Sequence, residues 1–172
     1  MRNRWWIGLA VLMLVACNRQ APQRPSQRMG QAPQVDTAQL ALLQLNRQLA
    51  EAADNLLMQT AQAQDEAYAL YEANTWVTIL DPGNTESASP VPGEEWTVHM
   101  RTYTLTGELY TDSEGTYRIG KQELPIAVDV NICEWHRGCR IRMYAPWYAA
   151  YGIKGTDEIP PYENVMIELE LK

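Results

Sequence analysis

The side chains near the end of the chain that could do chemistry are aromatic and aliphatic rather than nucleophilic. Trp147, Tyr148 and Tyr151 precede a glycine-bounded loop, residues 152–155, and Ile159-Pro160-Pro161 follows that loop. The sequence offers no evident serine–histidine–carboxylate set of the kind used in nucleophilic catalysis. Side chains of these types suit an apolar, water-poor pocket in which one or two hydroxyl groups hold a bound ligand by hydrogen bonds.

Residues 165–171, just before the final lysine, predict the strand that would support this pocket. Apolar side chains alternate with Met166, Glu168 and Glu170 over residues 165–171. A period of two is typical of a half-buried strand. Proline fits neither a central strand nor a helix interior, so Pro160-Pro161 marks the passage from loop to strand.

The order and spacing of four short motifs in this region resemble the C-terminal signature of the FKBP-type peptidyl-prolyl isomerases. The motifs are Pro146, Ala150-Tyr151-Gly152, Ile159-Pro160-Pro161 and Glu170-Leu171. Upstream motifs resemble the same family, and they are Val98-His99-Met100, Gly107-x-x-Tyr110 and Tyr117-Arg118-Ile119-Gly120. The similarity resides in these motifs taken together, since Ala-Tyr-Gly or Pro-Pro alone is a weak signal.

The resemblance covers residues 76–172 and implies the fold of that region. We expect an α+β domain in which an antiparallel sheet of five or six strands wraps around one short helix. The helix is expected between Ile126 and Cys133, with Pro125 suited to its first turn. Alternating apolar residues independently favour several strands, but they do not give the pairing of those strands.

The activity that the resemblance implies is rotation about the peptide bond before proline, with proline-containing polypeptides as substrates. The barrier is the partial double bond of the amide, about 18–20 kcal/mol. An apolar pocket disfavours the charge separation of the planar amide, and hydrogen-bond donors stabilise the twisted one. This reaction needs no nucleophile, metal or cofactor.

Carried over position by position, the resemblance assigns eight residues to the catalytic pocket. These are Tyr110, Asp112, Leu124, Pro125, Val128, Tyr151, Ile159 and Ile167. Tyr151 would offer its hydroxyl to a substrate carbonyl. Asp112 is the candidate carboxylate, although Thr111 occupies the strict position for it.

Four departures from the family pattern leave two alternatives open. Met100 replaces a pocket tyrosine, Val128 a tryptophan floor, and Ile167 a phenylalanine. Pro125 replaces an isoleucine whose backbone N–H binds ligand in the family, and proline has no N–H. The changes keep the pocket apolar but make it shallower. The domain is therefore either an active isomerase or a non-catalytic copy that binds polypeptides within an envelope complex.

The first 35 residues read as targeting and tether segments. Residues 1–17 combine the basic Arg2 and Arg4 with an uncharged run too short to span a membrane. Leu14-Val15-Ala16-Cys17 resembles the bacterial lipobox, which implies cleavage before Cys17 and its lipidation. Residues 18–35, rich in Gln, Pro and Arg, predict a flexible linker. We expect a bacterial envelope protein, lipid-anchored to a membrane, with its domain in the periplasm or at the cell surface.

Residues 36–75 predict a helical extension. They are rich in Ala, Leu, Gln and Glu, and Asp36 or Thr37 could cap a helix. A stripe at three–four spacing runs along it, consisting of Leu42, Leu45, Leu49, Ala52 and Leu56. The stripe either packs on the downstream domain or forms a homodimer, as a helical module does in some periplasmic FKBP-type proteins.

Charge and cysteine content complete the expectations. The formal net charge is −7, which argues against a nucleic-acid partner because such a partner needs a basic face. Five residues lie between Cys133 and Cys139, a spacing that does not match a zinc pair, and His136 adds only one ligand. In an exported chain these two cysteines either form a disulfide or remain free.

Overall fold

Six antiparallel strands and two helices make up the regular structure of residues 37–172, the part of the chain that this computed structural model describes. The helices are α1 (Thr37–Gln62) and α2 (Ile126–Asp129). The strands are β1 (Ala69–Tyr71), β2 (Thr75–Asp81), β3 (Glu95–Tyr103), β4 (Leu109–Arg118), β5 (Arg140–Ala145) and β6 (Val165–Leu171). Short 3₁₀ turns occupy Glu72–Asn74 and Ile132–Glu134.

The strands form one sheet in the order β1-β2-β5-β6-β3-β4. Every neighbouring pair is antiparallel. The predicted C-terminal strand, β6, lies inside the sheet between β5 and β3, and its residues Val165, Ile167, Leu169 and Leu171 are buried. Alternation along β3 likewise turns Trp96, Val98, Met100 and Thr102 inward. The predicted α+β fold is confirmed.

The main core lies between one face of the sheet and the segment around α2. Ala127, Val128, Ile132 and Trp135 are buried in it with the inward residues of β3, β5 and β6. The buried Asn131 amide bonds the carbonyl oxygens of Ala127 and Glu72, and its side-chain oxygen accepts the Glu72 N–H. These bonds tie the short helix to the turn between β1 and β2.

The helix α1 covers the opposite face of the sheet. Leu57 and Ala61 are buried against Tyr144, with Trp76 and Met166 at the periphery of that second cluster. These three sheet residues alternate with residues that face the main core, so α1 and α2 lie on opposite sides of the sheet.

Two expectations for the N-terminal extension need correction. The helix ends at Gln62, and residues 69–71 form the edge strand β1, so the extension is not helical through residue 75. The face of α1 that packs on the domain is formed by Ala53, Leu57 and Ala61, whereas every member of the predicted Leu42–Leu56 stripe is exposed. Small alanine side chains let the helix approach the sheet closely there.

The predicted signal segment 1–17, the lipidation site Cys17 and the linker 18–35 lie outside the described residues. Within residues 37–172, no helix has the length and apolar character needed to cross a membrane.

Candidate functional site

Six of the eight predicted pocket residues belong to the main core or pack against it. Four of them, Leu124, Val128, Ile159 and Ile167, are at most 5% exposed. The rings of Tyr110 and Tyr151 are half-buried and pack against the same cluster. They come from β4, the α2 segment, the loop between β5 and β6, and β6 itself, so the fold gathers residues that are up to 57 positions apart, from Tyr110 to Ile167.

The Tyr151 hydroxyl is fixed by a residue that the sequence analysis did not select. Its oxygen lies 2.9 Å from the Thr102 hydroxyl, and Thr102 is fully buried on β3 opposite Ile167. If Thr102 donates this bond, the Tyr151 O–H stays available to a ligand carbonyl. Burial raises the pKa of Tyr151 above its usual range, which keeps the phenol protonated. The inward alternation of β3 is the sequence signal that would have identified Thr102.

Pro125 places the first turn of α2 at the edge of this cluster. Its carbonyl oxygen accepts the N–H groups of Val128 and Asp129, each at 2.9 Å. The Ala127 N–H donates to the Ala149 carbonyl at 2.8 Å, which joins α2 to the segment that carries Tyr151. Pro125 itself is half-buried and offers no N–H to a ligand.

The loop that carries Ile159 closes tightly around a glycine. Gly155 has a φ of +65°, and a Cβ at this position would lie 2.1 Å from the Ile159 carbonyl oxygen. Two bonds between Thr156 and Ile159 complete the turn, at 2.8 Å and 3.0 Å. The turn buries Ile159 to 1% exposure, while Pro160 and Pro161 stay exposed.

Tyr110 lies at an irregularity in the β3–β4 pairing. Thr102 pairs with Thr111 and Tyr103 with Leu109, so Tyr110 is the extra residue of a bulge. Partial burial and the neighbouring Glu163 raise the pKa of Tyr110. The ring therefore forms a neutral, aromatic rim to the cluster.

Asp112 does not join the other predicted residues. It pairs with Arg101 on the face of the sheet opposite Thr102, and its carboxylate lies 2.6 Å from His99 Nε2. One step along a strand reverses the direction of a side chain, so an aspartate one position after Thr111 faces away from the pocket. The assignment of Asp112 as the pocket carboxylate is therefore wrong.

Cys133 and Cys139 are free thiols rather than a disulfide. Cys139 is buried in the main core, whereas Cys133 lies in the 3₁₀ turn at its periphery, and the buried Trp135 lies between them in the chain. Burial raises the pKa of both thiols, which disfavours the reactive thiolate. Across residues 37–172, no group of three or more His, Cys, Asp or Glu side chains is placed to hold a metal ion.

The arrangement therefore offers an apolar floor, two tyrosine rings and one oriented hydroxyl. The exposed parts of the two tyrosine rings can contact an apolar ring such as that of proline, and the Tyr151 hydroxyl can donate one hydrogen bond to a carbonyl. The six predicted residues that belong to this core include no serine, cysteine, histidine or carboxylate side chain.

Comparison with solved structures identifies the architecture. A peptidyl-prolyl cis-trans isomerase from Pseudomonas syringae pv. tomato str. DC3000 matches 73% of this chain and 92% of its own, with a TM-score of 0.61 and 19% identity. AtFKBP13 matches 60% of this chain and 95% of its own, with a TM-score of 0.54 and 18% identity. The chain has the FKBP-type peptidyl-prolyl isomerase fold.

The FKBP fold is recognised here through structure, since no family model and no curated protein matches the sequence significantly. At identities below 20%, a shared FKBP fold is compatible with different pocket residues. Whether this FKBP-fold protein acts as its structural neighbours do depends on its own side chains.

Proposed function

We propose that this protein is a peptidyl-prolyl cis-trans isomerase that assists the folding of exported or surface polypeptides while anchored to a membrane through lipidated Cys17. The observation that carries the catalytic part is the convergence of Tyr151, Val128 and Ile159 with three further predicted residues on an FKBP fold. The lipobox-like Leu14-Val15-Ala16-Cys17 supports the anchor.

Catalysis would proceed without covalent chemistry. The proline ring would contact the half-buried rings of Tyr110 and Tyr151 above the apolar floor, and removal of water would destabilise the charge-separated planar amide relative to the twisted one. The Tyr151 O–H, oriented by Thr102, donates to a substrate carbonyl and holds the chain on one side of the rotating bond. The uncatalysed rotation takes roughly 10–100 s at 25 °C, so modest stabilisation of the twisted amide gives a measurable acceleration.

A non-catalytic FKBP-like binding subunit is the second candidate, and two observations favour it. Pro125 removes the N–H that an isoleucine would supply, and the floor residues are at most 5% exposed. A ligand would then contact mainly the tyrosine rims and would not penetrate deeply.

Exchange spectroscopy on a peptide with a single X-Pro bond separates these two functions. Residues 18–172 at a few per cent of the peptide concentration should produce cis–trans exchange cross-peaks if the protein is an isomerase. Saturable shifts of the peptide resonances without exchange would support the binding subunit. The absence of both exchange and shifts would contradict both proposed functions.

The anchor has its own test. When cells that express the full chain are supplied with a radioactive fatty acid, the protein should become labelled. The substitution Cys17→Ser should abolish both this label and the recovery of the protein in the membrane fraction. Equal labelling of the two chains would contradict the assignment of Cys17.

A further inference from the structure

Strand β4 forms one edge of the sheet, and no other strand within residues 37–172 pairs with its outer side. It is ten residues long, and every second side chain from Asp112 to Arg118 is exposed. The strand at the opposite edge, β1, has only three residues. A long edge strand presents a row of backbone N–H and C=O groups, to which an extended chain can add as a further strand.

The pairing of β3 with its two neighbours determines which backbone groups of β4 face outward. The Lys172 N–H donates to the Thr97 carbonyl at 3.0 Å, so the odd-numbered residues of β3 bond towards β6. The direction alternates along an antiparallel strand, so the even-numbered residues of β3 bond towards β4. Their partners are the odd-numbered residues of 111–117. The N–H and C=O groups of Asp112, Glu114 and Thr116 therefore face outward.

A hydrogen bond at the end of β4 agrees with this alternation. The Arg118 N–H, next in the outward series, donates to the Glu123 carboxylate at 2.8 Å. No such bond within residues 37–172 engages the backbone groups of Asp112, Glu114 and Thr116. We call residues 112–116 the β4 edge. It offers three outward N–H groups and three outward C=O groups to an added strand.

The β4 edge is continuous with the candidate site. Tyr110 precedes the edge and Tyr117 follows it, and both rings are half-buried against the main core. The Tyr117 ring lies beside Gly115, 3.1 Å from the position that a Cβ would occupy there. Burial and, to a smaller extent, the neighbouring Tyr117 raise the pKa of Tyr151. One face of an added strand would therefore contact these rings, and a chain that continues past Asp112 would reach Tyr110.

Charge on the other face of the β4 edge decides which chain fits it. Asp112 contacts His99 and Glu114 contacts Lys172, while Glu170 lies 4.0 Å from the second ring nitrogen of His99. This group has three carboxylates and two basic side chains, so it is negative whether or not His99 is protonated. Opposite charges across a pair of strands are favourable and like charges are unfavourable. Lysine or arginine side chains of an added strand would therefore fit beside Asp112 and Glu114.

A second copy of β4 fits the same edge less well. Antiparallel pairing of two copies about the centre of the edge would bring the two Glu114 carboxylates opposite each other. All neighbouring strands of the sheet are antiparallel, and an added polypeptide in the same sense runs from Thr116 towards Tyr110. The residues that lie along β4 would then be those that precede the proline.

We propose that the β4 edge is a strand-addition site for the substrate segment that precedes the proline, and that it selects alternating basic and apolar residues. The basic side chains would lie beside Asp112 and Glu114, and the apolar side chains would lie towards Tyr117. The inference rests on the proposed function, because it places the proline beside Tyr110 and Tyr151. It adds a preference for the sequence before the proline, which the apolar core residues do not supply.

The test follows amide hydrogen exchange by NMR in residues 18–172 with the end-blocked peptide Lys-Val-Lys-Val-Lys-Ala-Pro. Peptide at about ten times its Kd should slow exchange of the Glu114 and Thr116 amides roughly tenfold. The third peptide residue, a lysine, would lie opposite Glu114, and its N-methylation should weaken binding about 3- to 10-fold by removing one backbone hydrogen bond. The matched control is N-methylation of the second residue, a valine whose N–H points away from β4, which should leave Kd nearly unchanged.

The charge preference is tested with a peptide in which glutamate replaces the three lysines. It should bind wild type roughly tenfold more weakly, since like charges would then lie opposite each other. Asp112→Asn/Glu114→Gln should remove most of this difference between the two peptides. Both substituted side chains are exposed and lie outside the proposed site, so the variant should fold normally.

Three results would overturn the proposal. These are equal effects of the two N-methylations, unchanged exchange at Glu114 and Thr116 up to about 5 mM peptide, and protection of these amides that grows with protein concentration alone. The last result would assign the edge to a second copy. The isomerase is judged separately from the Ala-Pro bond of the same peptide. Catalysed cis–trans exchange without protection of the edge would retain the isomerase and contradict strand addition, whereas protection without catalysed exchange would support strand addition and contradict the isomerase.

Discussion

Tyr151 is the residue on which the proposed chemistry depends, because a buried partner, Thr102, holds its hydroxyl at the apolar cluster. The hydrogen bond between the Tyr151 and Thr102 hydroxyls, 2.9 Å long, orients the ring and joins two uncharged groups. A ligand carbonyl can therefore receive a hydrogen bond from a donor that is already oriented, which lowers the cost of ordering it on binding.

The protonation of Tyr151 predicts a flat pH profile for the proposed activity. Burial raises the pKa of Tyr151, so the folded protein retains the phenolic proton below the usual tyrosine value and loses it only as the pH rises beyond that value. Peptide isomerisation should vary less than about twofold between pH 6 and 9, a range below the ordinary tyrosine pKa of about 10. A loss of activity centred near pH 8 would show that another group controls the reaction.

Pro125 should be the residue at which activity can be gained. Pro125→Ile restores a backbone N–H at the pocket edge, and one hydrogen bond contributes about 0.5–1.5 kcal/mol, which corresponds to roughly a 2- to 10-fold increase in kcat/KM. Pro125→Ala restores the same N–H without the larger side chain, so both variants should be faster than wild type. If both match wild type, the missing N–H does not limit the pocket.

At the scale of elements, the attachment of α1 to the sheet depends on a few small contacts. Leu57 is fully buried against Tyr144. The Asp54 carboxylate accepts bonds from Tyr148 and from the Asn74 amide, and the pKa of Tyr148 rises to about 12 through burial and this contact. The helix is thus part of the folded domain rather than an independent arm.

Leu57→Ala should destabilise the protein by about 2–4 kcal/mol, because it removes a fully buried side chain and leaves a cavity under the helix. Leu43→Ala makes the same chemical change at a position that is 65% exposed. This control should change the free energy of unfolding by no more than about 0.5 kcal/mol. Urea denaturation measures both, and equal effects would contradict the packing of α1 described above.

Sequence patterns predicted the positions of the strands better than they predicted which face of α1 would pack on the sheet. Alternation over residues 165–171 predicted β6, since a central strand with one buried face shows a period of two. The three-residue β1 is too short to show a period and lies in a segment rich in helix formers. Spacing alone identified the Leu42–Leu56 stripe, but it could not tell that the alanine-containing face would meet the sheet.

Sequence reasoning likewise placed some residues of the candidate site and not others. Resemblance placed Tyr110, Tyr151 and Ile159 in one cluster, because the motifs carry their positions in the fold. The assignment of Asp112 as the pocket carboxylate was wrong because strand register decides the direction of a side chain, and a shift of one residue reverses that direction. Alternation along β3 marks Thr102 as an inward residue, but its contact with Tyr151, 49 positions later in the loop between β5 and β6, is encoded by no local pattern.

At the scale of the whole molecule, the sheet separates two surfaces. One face holds the proposed site residues and α2, and the other holds α1, on which Leu42, Leu45, Leu49 and Leu56 are exposed. The exposed side chains of α1 lie on the face of the sheet away from Tyr151, so their substitution should not alter the proposed site. Leu45→Gln/Leu49→Gln should therefore leave the rate on a peptide with a single proline unchanged.

The most direct measurement of the central claim is the proline-limited refolding of a model protein in the presence of residues 18–172, run beside Tyr151→Phe. The account predicts that substoichiometric wild type accelerates the slow phase. Tyr151→Phe should lower kcat/KM about 5- to 30-fold, the effect of losing about 1–2 kcal/mol from one donor. Acceleration that Tyr151→Phe leaves unchanged would contradict the site, and no acceleration by folded wild type would contradict the isomerase itself.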